Sequence, residues 1–138
     1  PETHIIPLAI KAAINNSEFQ LFGNDYKTSD GTCIRDYIHV EDLAQAHILA
    51  LEKINNDNRS DNFNLGVGKG YSNFQILDMV KRISGKDISV KIVSRRPGDP
   101  TEIFTDNRKS AMELGFSPQY SNLETIVETA WQWHTKNR

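Results

Sequence analysis

Cysteine is almost absent. Cys33 stands alone in the 138-residue chain, so no intramolecular disulfide can form, and a reducing compartment, the cytoplasm, is the expectation. No apolar run reaches the roughly 20 residues that a membrane-spanning helix needs. The opening Pro1-Glu2-Thr3-His4 is unlike a charged-then-apolar export signal. Neither sign of charge dominates: 16 basic against 18 acidic residues leave a formal net charge of −2. Such a chain has no global field to draw in nucleic acid or an anionic membrane, so any anion site must be local. Metal-ligand spacings are missing too: there is no Cys-x-x-Cys or His-x-x-x-His, and His39 and His47 do not have ligand spacing. No metal is expected. An initiator methionine is also lacking, and a chain that opens on Pro1 reads as a piece of a longer polypeptide.

What is present suits one globular unit with its own core, at 38% apolar and 25% charged residues. Within residues 5–14, Ile6, Ile10 and Ala13 recur at helical spacing with Pro7 near the start, and Asn15-Asn16-Ser17 ends that helix. Phe19-Gln20-Leu21-Phe22 alternates as a strand does before Gly23-Asn24-Asp25 turns the chain. Residues 34–40 predict a second strand, and Glu41-Asp42 open a helix to about Ile54 that is apolar on two stripes and therefore expected to be sandwiched. A short strand is predicted at 63–65. Ser72 and Gln75 form a capping box for the next helix, which Gly85 ends. Ile88, Val90 and Ile92 alternate as a strand. A short helix runs from about Asn107 to Gly115 with Asp106 as its cap, and Ser121 with Glu124 reads as a second capping box for the last helix. The sum is a mixed α/β unit with about five helices.

Arginines stand in structured polar places: Arg35 on a strand, and Arg95-Arg96 before Pro97-Gly98-Asp99-Pro100. A guanidinium fork matches phosphate oxygens bidentately, as lysine cannot. Arg35 and Tyr37 are two apart on a strand, so both should leave one face, and an aromatic beside an arginine suits a nucleotide. The other reading pairs Arg35 with an acid such as Asp36 and leaves Arg95 and Arg96 as a solvated loop. Gly66-Val67-Gly68-Lys69-Gly70 invites a phosphate-loop reading but fits no template. Tyr71 stands where the dinucleotide fingerprint needs a third small residue, so a tight strand-to-helix turn is expected. Cys33 is a nucleophile only with a base beside it, and an inert thiol is the commoner state. Reductases of the short-chain class set a Lys four residues after a Tyr to lower the tyrosine's pKa. Here the tyrosines are 26, 37, 71 and 120, followed four on by Asp30, Glu41, Gln75 and Glu124. No catalytic residue is therefore assigned.

Phe22-Gly23-Asn24-Asp25-Tyr26, then Asp30-Gly31-Thr32-Cys33-Ile34-Arg35-Asp36-Tyr37-Ile38-His39-Val40, resembles the UDP-glucose 4-epimerase family of extended short-chain dehydrogenases. The likeness continues through Asp42-Leu43-Ala44, Asn64-Leu65-Gly66, Arg95-Arg96-Pro97-Gly98-Asp99 and Leu123 to Trp131, and so covers essentially the whole chain. Many nucleotide-sugar enzymes share the Arg35-to-Val40 element, whereas the longer run with Phe22 to Tyr26 points to the 4-epimerases.

The resemblance implies a single unit over residues 1–138, the C-terminal substrate-binding lobe with the last strand and helix elements of a Rossmann fold. NAD would be bound by an N-terminal domain outside this chain, which also holds the catalytic Tyr-Lys pair. It implies further that His4 and Ile5 lie near the sugar and diphosphate, that Gln20 and Phe22 flank the uracil, and that Arg35 and Arg96 bind the diphosphate with Tyr37 nearby. Asp99 would accept ribose hydroxyls, and Ile103 would limit the sugar substituent. Ile103 is intermediate between the bulky and small residues of that family position, which leaves N-acetylated sugars open. The implied partners are UDP-glucose and UDP-galactose, in a homodimer of the full-length protein with no nucleic acid or membrane. The implied activity is isomerase: transient NAD-dependent oxidation at sugar C4, with this chain inactive by itself. Two readings stand beside it: a related nucleotide-sugar epimerase or dehydratase, and a non-catalytic nucleotide-sugar-binding fragment.

Overall fold

A computed structural model describes residues 2–136. These residues form five helices and five short strands, in the order α1 (Ile5–Asn15), β1 (Phe19–Phe22), β2 (Ile34–Asp36), α2 (Val40–Asp57), β3 (Gly70–Ser72), α3 (Asn73–Ser84), β4 (Val90–Val93), β5 (Glu102–Ile103), α4 (Arg108–Leu114) and α5 (Leu123–Lys136). The fold is α/β, with β1 and β4 forming a parallel pair and β3-β2-β5 forming a second sheet, antiparallel on one side of β2 and parallel on the other.

The main core forms where the apolar stripes of α1, α3 and α5 meet the inner face of β1. Ile10, Leu21, Ile76, Val80 and Val127 are all but inaccessible there. The helical spacing of Ile6, Ala9, Ile10 and Ala13 puts them on one side of α1. The capping box of α3 forms as expected: the Ser72 hydroxyl accepts from the Gln75 N–H, the Gln75 side chain accepts from the Ser72 N–H, and Gly85 ends the helix in the left-handed region. A second, smaller cluster gathers Ala46, Leu114 and Phe116 under Ile38, Leu49, Ala50, Phe63 and Leu65.

Five local expectations need correction. Residues 63–65 form no strand; both edges of β2 are already taken by β3 and β5, and the segment instead lays Phe63 and Leu65 on the second cluster. The third strand lies at Gly70–Ser72, between the glycine-rich run expected to turn directly into a helix and that helix. Helix α2 is covered on one side: Ala46 is buried, whereas Val40, Ile48, Leu51 and Ile54 remain about half exposed or more. Ser121 does not cap α5. The Asn122 side chain accepts from the Thr125 N–H at 2.9 Å, while the Ser121 hydroxyl accepts from the His39 N–H at 2.8 Å and donates to Asp42 at 2.5 Å. At α4 the expected cap is one residue out: Asn107 occupies the N-cap position, and Asp106 accepts from the Arg108 N–H.

Candidate functional site

The N-terminus of α1, the outer face of β1, the end of β2 and the loop 95–100 enclose a cleft of about 690 Å³. His4, Ile5, Gln20, Phe22, Arg35, Tyr37, Arg96 and Asp99 all line it. Residues from four separate stretches of chain thus converge. Gln20 and Phe22 share a face because they alternate on β1, whose other face supplies Phe19 and Leu21 to the core. Ile103 lies outside this lining. It pairs with Arg35 in register on the two-residue strand β5, with its side chain half exposed.

Arg35 does not pair with Asp36. Its guanidinium donates to the Ile34 carbonyl at 2.7 Å and the Pro100 carbonyl at 2.8 Å, and forms an ion pair with Asp99. The second Asp99 oxygen accepts from the Tyr26 hydroxyl at 3.3 Å. Arg96 stacks over the Phe22 ring, 4.0 Å from its centroid, an arrangement in which the ring face attracts the cation while the N–H edges stay available. Arg95 turns the other way. It stacks over Tyr26 at 4.1 Å and donates to the Asp25 carboxylate at 2.6 Å, which draws the Asp25 carboxyl below its ordinary range.

Burial pushes the Tyr37 phenol up to about 12, so it stays protonated at neutral pH. Cys33 lines the same cleft in a setting that disfavours its thiolate. It is 5% exposed, accepts from the Asn73 amide at 3.3 Å, and its pKa is raised by burial.

The glycine-rich run is already occupied by an anion from the chain itself. The Asp36 carboxylate accepts from the N–H groups of Val67 at 3.1 Å, Gly68 at 2.9 Å and Thr105 at 3.2 Å. A Cβ at Gly66 would lie 2.6 Å from Asp36 Oδ2, so glycine is needed for the close approach rather than for a nucleotide. These residues therefore offer a dinucleotide no free amide cradle at this turn.

Sequence reasoning missed the supporting carboxylates. Asp30 accepts from the N–H and hydroxyl of Thr32, at 2.9 and 2.8 Å, and from the Ser72 hydroxyl; Asp30-Gly31-Thr32 carries the signature of an Asx turn, which could have flagged it. Asp42 accepts from the N–H groups of Gln119 and Tyr120 at 2.8 and 2.9 Å, and no local signal points to those partners. His39 caps α2 through Nδ1, which accepts from the Glu41 N–H at 3.0 Å, while Nε2 meets the Thr129 hydroxyl at 2.9 Å. Among the described residues no cluster of side chains could hold a metal ion, and no helix is long and apolar enough to cross a membrane.

The family model described as NAD dependent epimerase/dehydratase family matches residues 2–66. The UDP-glucose 4-epimerase of Lactobacillus helveticus is 47% identical over 135 residues, 97% of this chain and 41% of that protein. A crystal structure of a UDP-glucose 4-epimerase matches with a TM-score of 0.93 and 46% identity, over 99% of this chain and 42% of the other. The UDP-glucose-4-epimerase of Stenotrophomonas maltophila, solved with bound NAD and formylated UDP-arabinopyranose, matches with a TM-score of 0.93 and 35% identity, over 99% and 40%. The chain spans about 41% of the length of the curated relatives it matches. Along nearly its whole length it is homologous to UDP-glucose 4-epimerases, and its α/β fold is theirs over that length.

Proposed function

We propose that this chain is the C-terminal, UDP-sugar-anchoring lobe of a UDP-glucose 4-epimerase that interconverts UDP-glucose and UDP-galactose. The observation that carries the reading is the meeting of Arg35, Arg96 and Asp99 with Phe22 and Tyr37 in one cleft. Two guanidinium groups suit the two phosphates of a nucleoside diphosphate, a carboxylate suits the ribose diol, and aromatic rings suit the base. The relative solved with formylated UDP-arabinopyranose supports a nucleotide sugar as the ligand. Bound NAD would accept and return the hydride at sugar C4. The Val67 and Gly68 amides are taken by Asp36 and no tyrosine here has a lysine four residues on, so the reading assigns NAD and the Tyr-Lys pair to an N-terminal Rossmann domain beyond these residues. This chain's own part is to grip UDP firmly while the hexose is held loosely enough to turn, so that either face of C4 can be presented. The complete protein is taken to be a cytoplasmic homodimer. Ile103, though outside the cleft lining, is assigned the role of limiting how large a sugar substituent fits.

The test is the complete protein assayed with UDP-galactose and with dTDP-glucose, together with Arg35→Ala. Conversion of UDP-galactose to UDP-glucose is expected. Arg35→Ala is expected to weaken UDP binding about 100-fold, since it removes charge-assisted hydrogen bonds to phosphate. Activity on dTDP-glucose alone would favour a related nucleotide-sugar enzyme, and UDP affinity unchanged in Arg35→Ala would refute the cleft assignment.

A further inference from the structure

Arg95 and Arg96 are neighbours in sequence but face different partners, and the difference locates a residue that the cleft depends on without touching it. Arg96 lies over Phe22 inside the cleft. Arg95 crosses Gly23, whose φ is +78° and whose missing Cβ would sit 2.6 Å from Arg95 Cγ and 2.7 Å from Tyr26 Cε2. The arginine thus lies flat on the Tyr26 ring and is fixed at its end by Asp25. Tyr26 is 4% exposed and is not among the residues lining the cleft. Its N–H donates to the Gly31 carbonyl at 2.9 Å, which holds the ring at the base of the loop. Its hydroxyl ends on Asp99 Oδ2.

Resting on the nucleotide-sugar reading above, we propose that Tyr26, seated by Arg95, is a positioning residue that holds Asp99 for recognition of the ribose hydroxyls. Asp99 has two oxygens and, in this structure, two side-chain partners, Arg35 on one and Tyr26 on the other. Arg35 already gives N–H groups to the Ile34 and Pro100 carbonyls and to Asp99, and a fork turned toward phosphate draws the guanidinium away from the carboxylate. Once it turns to the diphosphate, Tyr26 remains to hold the carboxylate in place. A freed Asp99 at the end of the loop 95–100 would otherwise sample several rotamers, and each diol contact would then include the cost of ordering it.

The experiment compares the affinities of UDP and 2′,3′-dideoxy-UDP for the complete protein, by calorimetry, in wild type and Tyr26→Phe. The wild type is expected to prefer UDP. Tyr26→Phe, which keeps the ring under Arg95, is expected to lose about fivefold in UDP affinity while binding of the dideoxy analogue stays within about twofold. KM for UDP-galactose should rise in step, with kcat little changed. A merely structural role would lower both affinities together. Arg95→Lys, which keeps the charge but loses the fork to Asp25, is expected to shift the preference in the same direction by less, and it carries the test should Tyr26→Phe fail to fold. A wild-type preference retained in both variants overturns the proposal, as does a wild type that binds UDP and its dideoxy analogue equally. A wild type that binds no UDP overturns the cleft reading itself.

Discussion

The two halves of the molecule use similar residues and end differently. Helices α1, α3 and α5 close around β1 so completely that Ile10, Ile76, Val80 and Val127 lose all contact with solvent. Helix α2 is also rich in apolar residues, yet Val40, Ile48, Leu51 and Ile54 stay open, while α4 and neighbouring loops shelter its other side. Composition does not separate them; the number of elements within reach does. The open half is tied to the closed half largely by polar contacts: Asp42 to the backbone of residues 119 and 120 and to Ser121, and His39 to Ser121 and Thr129. The cleft rests on the closed half, with β2 supplying Arg35.

The largest effect that would sharpen this contrast is expected at Ile10. Ile10→Ala removes a fully buried side chain from a three-helix junction and should destabilise the fold by about 2–5 kcal/mol, read from denaturant midpoints. A loss below about 1 kcal/mol would mean that the closed half is packed no better than the open one. Acid should act next, on the polar ties. For Asp30 and Asp42 burial alone would raise the carboxyl pKa, but the hydrogen bonds from Ser72 and Thr32 in one case, and from Ser121, Gln119 and Tyr120 in the other, bring both below the usual range. A depressed folded pKa contributes stability that is present above the unfolded value, about 3.9, and is lost as pH falls through the folded one. Stability should therefore decline below about pH 4, and Asp42→Asn should flatten that decline in urea titrations at several pH values. An unaltered acid limb would remove Asp42 from the account. The smallest effect is expected at Leu51, which is 59% exposed. In the 138-residue chain Leu51→Ala should shift stability by no more than about 0.5 kcal/mol, and a cost rivalling that of Ile10→Ala would show that the open face is covered in solution.

Much of this was legible in the sequence. Periodicity and local capping signals together placed the five helices of the described residues, and the Ser72–Gln75 box and Gly85 bounded α3 as they read. The errors share one physical source. A strand exists only through its partner, so residues 63–65, apolar enough to pair, are left out once β3 and β5 flank β2. Ser121 has the right residue three positions on for a capping box, yet its hydroxyl is drawn to His39 and Asp42 from far along the chain. Arg35, Arg96 and Asp99 could be grouped before folding only through family resemblance, since no local rule links positions so far apart. Tyr26 was passed over because nothing near it in sequence shows that its hydroxyl reaches Asp99.

By itself, the sequence determined what depends on near neighbours: the helices and their apolar stripes, the glycine at the end of α3, and the lack of disulfide, charge field or metal-ligand spacing. Tertiary structure alone decided which partner each charged group took. The amides of the glycine-rich turn went to Asp36, Arg35 went to Asp99, and Arg95 and Arg96 parted to different aromatic rings. The reason is one of range: periodicity and capping act over a few residues, whereas a carboxylate or guanidinium pairs with whatever donor or acceptor the fold brings within about 3 Å, whatever its distance along the chain.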